Sequence, residues 1–174
     1  MVEYRNSLIP GEDGSPLGVR GSARDLTDRL RAEKSLRESE ERHRSILENM
    51  DEGYYEVDLA GNFTFVNRAM CNMLGYTRDE IIGVNNREYM DEETAGGVYA
   101  AFNRVYRTGR TEKGFNWTII HKDGSRSIVE TSVSLNANAG GQPVGFRGLV
   151  RDVTERERER KEKLRLEAQL QHAQ

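Results

Sequence analysis

The 174-residue sequence holds a single cysteine, Cys71. An internal disulfide and a multi-cysteine metal site are therefore excluded. No apolar run approaches the ~18 residues that a membrane-spanning helix needs. The opening Met1-Val2-Glu3-Tyr4 has no basic start and leads into no apolar stretch, so no secretory signal is visible. Charge of one sign is missing too, since the formal net charge is −3. The basic stripe that holds nucleic acid has no counterpart here. Hydrophobic residues make up only 36%, against about 45–50% in an ordinary globular domain. These absences describe a soluble, cytoplasmic protein of a reducing compartment, with no nucleic-acid or membrane contact in this stretch.

Charge itself is plentiful, at 32% of residues against about a quarter in an average domain. It is concentrated in two places. Residues 24–50 carry 14 of the 55 charged side chains and residues 151–167 carry 13. Each segment mixes both signs almost evenly, which fits a solvated helix laced with salt bridges.

The chain also repeats itself. Val2 to Arg29 aligns without gaps to Val129 to Arg156, at an offset of 127, with 13 of 28 positions identical. Gly14/Gly141, Pro16/Pro143, Gly18/Gly145, Asp25/Asp152 and Thr27/Thr154 are among them. Ungapped identity over this length argues against chance. In the second copy Val129, Thr131, Val133 and Leu135 alternate with polar neighbours, Asn138-Ala139-Gly140-Gly141 supplies a turn, and Phe146, Gly148 and Val150 alternate on the return. Each copy thus reads as two strands. Residues 1–25 read as the C-terminal hairpin of a preceding domain similar to the one that follows. A lone hairpin is marginal in water, so this stub is expected to pack poorly unless something supports it.

A helix follows each hairpin. The first, within residues 26–50, contains no glycine or proline. A heptad frame puts Leu26, Glu33, Glu40 and Leu47 at one seam position and Arg29, Leu36, His43 and Met50 at the other. Half of these are apolar, so the seam suits a weak, adjustable coiled coil; a solvated single helix is the alternative. Pairs Glu38–Arg42 and Glu40–Arg44 have i,i+4 spacing.

Residues 51–153 form the complete domain. A hairpin runs from Glu52 to Asn67, turning at Asp58-Leu59-Ala60-Gly61-Asn62. Asn67 can cap a short helix that stops at Gly75. Thr77 and Glu80 match a capping box. Asp91 starts a longer helix that presents Val98, Ala101, Phe102 and Val105 on one face and ends at Gly109. Three strands follow, the first two joined at Lys122-Asp123-Gly124. The order β-β-α-α-α-β-β-β predicts an α+β fold, an antiparallel sheet with its helices on one side.

Five motifs in this order resemble a PAS domain. They are Asp58-x-x-Gly61, Phe65-Val66-Asn67-Arg68-Ala69, Leu74-Gly75-Tyr76, Lys122-Asp123-Gly124 and Asp152-Val153-Thr154-Glu155-Arg156. The resemblance implies a five-stranded antiparallel sheet with helices on one face, flanked by linker helices of coiled-coil type. Arg31 to Arg42 is similar to the linker between tandem PAS domains. Leu166 to Gln174, within the C-terminal linker helix 154–174, is similar to the segment before the phosphoacceptor helix of PAS-linked histidine kinases. The implied whole is a sensor histidine kinase of a two-component system, dimeric through its linker helices, with an output domain beyond this sequence. A diguanylate cyclase with PAS input, or a ligand-free dimerisation spacer, are the rival readings.

Catalytic chemistry has no support in the residues. His43, His121 and His172 are far apart, lack serine–aspartate or metal-ligand spacing, and read as solvated side chains. No metal site and no enzyme activity are expected. Gly83-Val84-Asn85-Asn86-Arg87 resembles the flavin motif of light-sensing PAS domains, where a cysteine stands at the position of Asn86. An amide cannot form the thiol adduct. Haem-binding PAS domains place a histidine on the long helix, and residues 91–108 contain none. Covalent flavin photochemistry and haem are not expected, and the cofactor stays unknown. Cys71 reads as a small core residue.

A small-molecule pocket in this fold would lie between sheet and helices. The candidate lining is Tyr55, Phe65, Leu74, Ile82, Asn85, Tyr89, Phe102, Trp117, Ile119, Thr131 and Phe146, with Asn85, Tyr89 and Thr131 as its polar handles. A filled core is the competing reading of the same residues. At the sheet's exit, Thr154 can cap the outgoing helix and Asp152 can accept hydrogen bonds from nearby backbone or from Arg151. The resemblance implies that Asp152 and Thr154, repeated as Asp25 and Thr27, relay movement from sheet to helix.

Overall fold

A computed structural model describes residues 2–12 and 14–172. The chain divides into two compact units, Met1–Ile46 and Leu47–Gln174.

In the first unit, strands β1 (Val2–Pro10) and β2 (Pro16–Asp25) form a two-stranded antiparallel sheet. Tyr4, Leu8 and Val19 are largely exposed on it. Helix α1 (Thr27–Glu48) follows and buries none of its residues. Asp25 caps its start, accepting from the Thr27 amide at 2.9 Å and the Thr27 hydroxyl at 2.6 Å. Arg29–Glu33, Lys34–Glu38 and Arg37–Glu41 are paired along its surface at i,i+4. Glu38 thus reaches back to Lys34.

The second unit opens with β3 (Gly53–Asp58) and β4 (Phe63–Val66), then α2 (Arg68–Leu74), α3 (Arg78–Ile81), a 3-10 turn (Asn86–Tyr89) and α4 (Glu92–Thr108). Strands β5 (Glu112–Ile120), β6 (Arg126–Ala137) and β7 (Pro143–Asp152) complete it, and α5 (Thr154–His172) leaves it. The sheet is five-stranded and antiparallel, in the order β4-β3-β7-β6-β5. This is the expected α+β PAS fold. The 3-10 turn is the one element of the domain that the sequence pattern does not announce.

Local sequence fixes most of the boundaries. Asn67 accepts from the Met70 amide and Gly75, at φ 78°, closes α2. The Thr77–Glu80 capping box is formed at α3. Asp91 accepts from the Thr94 amide and Gly109, at φ 65°, ends α4. Glycine serves at both stops because a Cβ is strained at positive φ.

The repeat is structural as well as sequential. In the first hairpin Val2 faces Asp25 and Pro10 faces Pro16. In the second, Val129 faces Asp152 and Ala137 faces Pro143. The same offset of 127 relates both pairs, so the two hairpins share one register. In the second copy that register is held by close packing. A Cβ on Gly145 would collide with the Val57 carbonyl, and one on Gly148 with the Ser132 carbonyl and, at 2.8 Å, the Tyr55 hydroxyl.

The core lies between the sheet's inner face and α2–α4. Val57, Val66, Leu74, Ile81, Val105, Val129 and Val133 are its most deeply buried large side chains. One polar residue sits within it at no cost in unmet bonds. Asn67 Oδ1 accepts from the amides of Tyr54 and Met70, and its Nδ2 donates to the carbonyls of Leu47 and Glu52, all at 2.9 Å. Two acceptor and two donor positions are the whole capacity of a carboxamide.

Candidate functional site: the sheet interior and its exit

The interior is nearly full. A void of about 30 Å³ remains, bounded by Tyr55, Phe63, Leu74, Tyr89, Phe102, Trp117 and Ile119 among others. Beside it, a cleft of about 370 Å³ opens between α4, the β3–β4 turn and the 3-10 turn. Phe102, Val98 and Asn86 border both spaces. The void is apolar and aromatic, with edge-on contacts of Phe63 with Tyr89 at 5.7 Å and with Tyr55 at 6.2 Å. Phe102 packs edge-on against Phe146 at 4.7 Å, on the cleft side. At the mouth of the cleft the Arg87 guanidinium stacks over the Tyr99 ring, 5.6 Å from its centre.

Two buried hydroxyls, one of them lining the void, are left without a bond. Tyr55 Oη and Thr131 Oγ1 are both buried, and neither meets a hydrogen-bond partner among the described residues. Desolvation drives the Tyr55 phenol well above its ordinary titration range, so it stays protonated and can donate. Burial likewise raises Tyr89. An unbonded buried hydroxyl is unfavourable by about 1–3 kcal/mol, and native interiors hold few of them.

The exit of the sheet is built differently from the simple cap expected there. Asp152 Oδ1 accepts from the Thr154 amide at 2.8 Å. The Thr154 hydroxyl turns back to the sheet, accepting from the Ile128 amide at 2.9 Å. Arg151 pairs with Glu52 rather than with Asp152. Burial pushes the Asp152 carboxyl up, but hydrogen bonds from Thr154 and Ser127 and the nearby His121 hold it below its usual range. The first turn of α5 is therefore fastened both to β6 and to the last residue of β7.

Comparison with known proteins agrees with this architecture. The PAS fold family model matches residues 41–153. The chain belongs to the PAS family. It is 27% identical to the sensor protein FixL of Bradyrhizobium diazoefficiens, over 98% of this chain and 34% of that protein. It is 26% identical to the C4-dicarboxylate transport sensor protein DctS of Rhodobacter capsulatus, over 74% of this chain and 19% of that protein. The chain thus spans about a third of the length of the first of these relatives and about a fifth of the second. Among solved structures, the PAS domain of a Colwellia psychrerythraea protein superposes with a TM-score of 0.62 at 18% identity, over 66% of this chain and 97% of that one.

Within this PAS domain six of the eleven candidate pocket residues, Tyr55, Leu74, Tyr89, Phe102, Trp117 and Ile119, line the void. Phe146 lines the cleft. Thr131 lies buried in the sheet, bordering neither space. The remaining three fall elsewhere. Phe65 stands opposite Glu56, on the outer face with Tyr54, and a bulge between Glu56 and Val57 then shifts the β3–β4 register. Phe63 takes the inward place. Ile82 ends α3 and is exposed, while Ile81 is fully buried. Asn85 is committed to structure, its Nδ2 donating to the Ala60 carbonyl and Asn62 Oδ1 and its Oδ1 accepting from the Arg87 amide. It holds the 3-10 turn against the β3–β4 turn and is no free handle for a ligand.

The geometry adds three further features. Cys71 is half-buried against the core, and desolvation raises its thiol. Among the described residues no helix is long and apolar enough to cross a membrane. His121, expected to be solvated, is half-buried with both ring nitrogens bonded. Sequence reasoning missed Arg87, Tyr99 and Asn86 as a cleft wall, and the one available signal was the flavin-like motif that contains Asn86 and Arg87.

Proposed function

We propose that this PAS domain is the sensory and relay module of a two-component sensor histidine kinase. A small molecule or an upstream signal shifts the sheet, and the shift passes through Asp152 and Thr154 to α5. The two linker helices, within 26–50 and 154–174, pair with those of a second copy and carry the change onward. Residues 31–42 and 166–174 are similar in sequence to such linkers, and two curated relatives are named as sensor proteins.

The observation that supports a ligand is the pair of buried, unbonded hydroxyls of Tyr55 and Thr131. A molecule that enters from the cleft by displacing Phe102 reaches Tyr55. Native mass spectrometry of the chain, purified without denaturation, tests this directly. A stoichiometric small molecule, lost in a Phe102→Trp variant that blocks the entry, is the expected result. No bound molecule in the wild-type chain, together with no mass gain on screening metabolite mixtures, would overturn the ligand half of the reading.

A second reading has its own support. The void of about 30 Å³ accommodates roughly one water molecule, whereas ligand pockets run to about 300 Å³ or more. A ligand-free spacer that relays strain between flanking helices fits that volume. The mass measurement separates the two.

A further inference from the structure

His121 sits in the β5–β6 turn, with its ring between two elements distant in sequence. Nδ1 lies 2.5 Å from the Met73 carbonyl at the end of α2. Nε2 lies 2.8 Å from the Ser127 hydroxyl on β6. A carbonyl can only accept, so Nδ1 carries a proton. In the neutral ring Nε2 is then an acceptor, and it competes with the Asp152 carboxylate for the Ser127 proton. Asp152 stands opposite Val129 across the β6–β7 ladder, which makes Ser127 its diagonal neighbour on the same face. Ser127 has one proton to give and two acceptors within reach.

We propose that His121 is a proton-operated switch on the start of α5. When Nε2 takes a proton from solvent, it becomes the donor to Ser127 Oγ. The serine keeps its own proton, rotates it away from the ring, and donates to the Asp152 carboxylate. No proton leaves the network, and one is gained at the imidazole. The result is a continuous relay from imidazolium through hydroxyl to carboxylate. Its last member is the group that accepts from the Thr154 amide at 2.8 Å. Protonation therefore ties the β5–β6 turn to the first turn of the outgoing helix. In the neutral state the ring competes for the Ser127 proton, and the tie from Ser127 to Asp152 is weaker.

Charged groups face the ring from several elements. Asp123, in the same turn, and Asp152, from β7, are the anions nearest it. Lys122 points to Glu80 on α3 at 2.5 Å and over the Tyr76 ring. Arg126, on β6, is engaged by Asp91 at 3.1 Å. From α2 the Met73 carbonyl reaches the ring. This input is independent of any ligand in the interior, so it stands or falls apart from the reading above.

Nuclear magnetic resonance of the full chain tests the switch. Samples are titrated from about pH 8 to pH 5, the range in which histidine ordinarily changes charge. The Thr154 amide is expected to move on the same curve as the His121 ring signals. In Ser127→Ala the ring should still titrate while the Thr154 amide stays flat. A flat Thr154 amide in the wild-type chain, or an unchanged curve in Ser127→Ala, overturns the proposal. His121→Gln serves as the second variant: its Thr154 amide should be flat throughout, and a persisting curve would assign the movement to another group.

Discussion

The Tyr55 hydroxyl is buried, protonated and unbonded, directly above the backbone of Gly148. Removing a lone buried polar group relieves its desolvation, worth about 1–3 kcal/mol. Tyr55→Phe is therefore expected to hold or raise the urea midpoint of the ligand-free chain. If a ligand bonds that hydroxyl, the same variant loses stability only in the loaded protein, which a melt with and without the co-purified molecule resolves. Asn67 is the opposite case. Its four bonds join the end of α1, the start of β3 and the cap of α2. Asn67→Ala strands several of these partners in a buried place, and a loss of roughly 3 kcal/mol or more is expected in urea unfolding. The residue scale is also where the sequence was least readable. The inward place of Phe63 and the engagement of Asn85 depend on a bulge and on partners more than twenty residues away. His121 looked solvated because Met73, which bonds it, lies 48 residues earlier.

Helix α3 shows what one element needs in order to persist at four residues. Its Glu80 closes the capping box with Thr77 and accepts from Lys122 of the β5–β6 turn. The Lys122 bond, then those from Thr77, pull the Glu80 carboxyl from 4.5 down to about 2. A carboxyl depressed in the folded state stabilises it above the unfolded value, and that gain fades as pH falls toward the folded value. Thermal melts of wild type and Glu80→Gln should differ at pH 6, draw closer below about pH 4.5 and converge only near pH 2. A gap that is unchanged at pH 3 would contradict the assignment. Elements were legible where their signals are local. Asn67 with Gly75, Thr77 with Glu80, and Asp91 with Gly109 each bound a helix within a few residues of chain, and the structure forms every one. The 3-10 turn has no such signal; Asn85 fixes it through the distant Ala60 and Asn62.

For the whole molecule, α1 leaves Leu30, Leu36 and Ile46 exposed, and α5 leaves Leu164, Leu166 and Leu170 exposed. Dimerisation through these helices would cover them. Sedimentation equilibrium should show reversible self-association, weakened by Leu36→Glu with Leu170→Glu; a monomer at high concentration would refute it. The shared register of the two hairpins has a kinetic consequence. Gly145, which lets β7 approach β3, and Gly148, which lets it approach β6, are repeated as Gly18 and Gly21 of β2. A refolding chain thus carries two segments able to settle beside β3, and the wrong one must leave before the right one docks. Gly18→Val, which denies β2 that place and meets nothing within its own hairpin, is expected to remove a slow refolding phase while leaving the unfolding rate of the PAS domain unchanged. Duplication that builds tandem sensors by copying hairpins also gives each copy a rival for its own site, and speed of folding is what such a chain gives up.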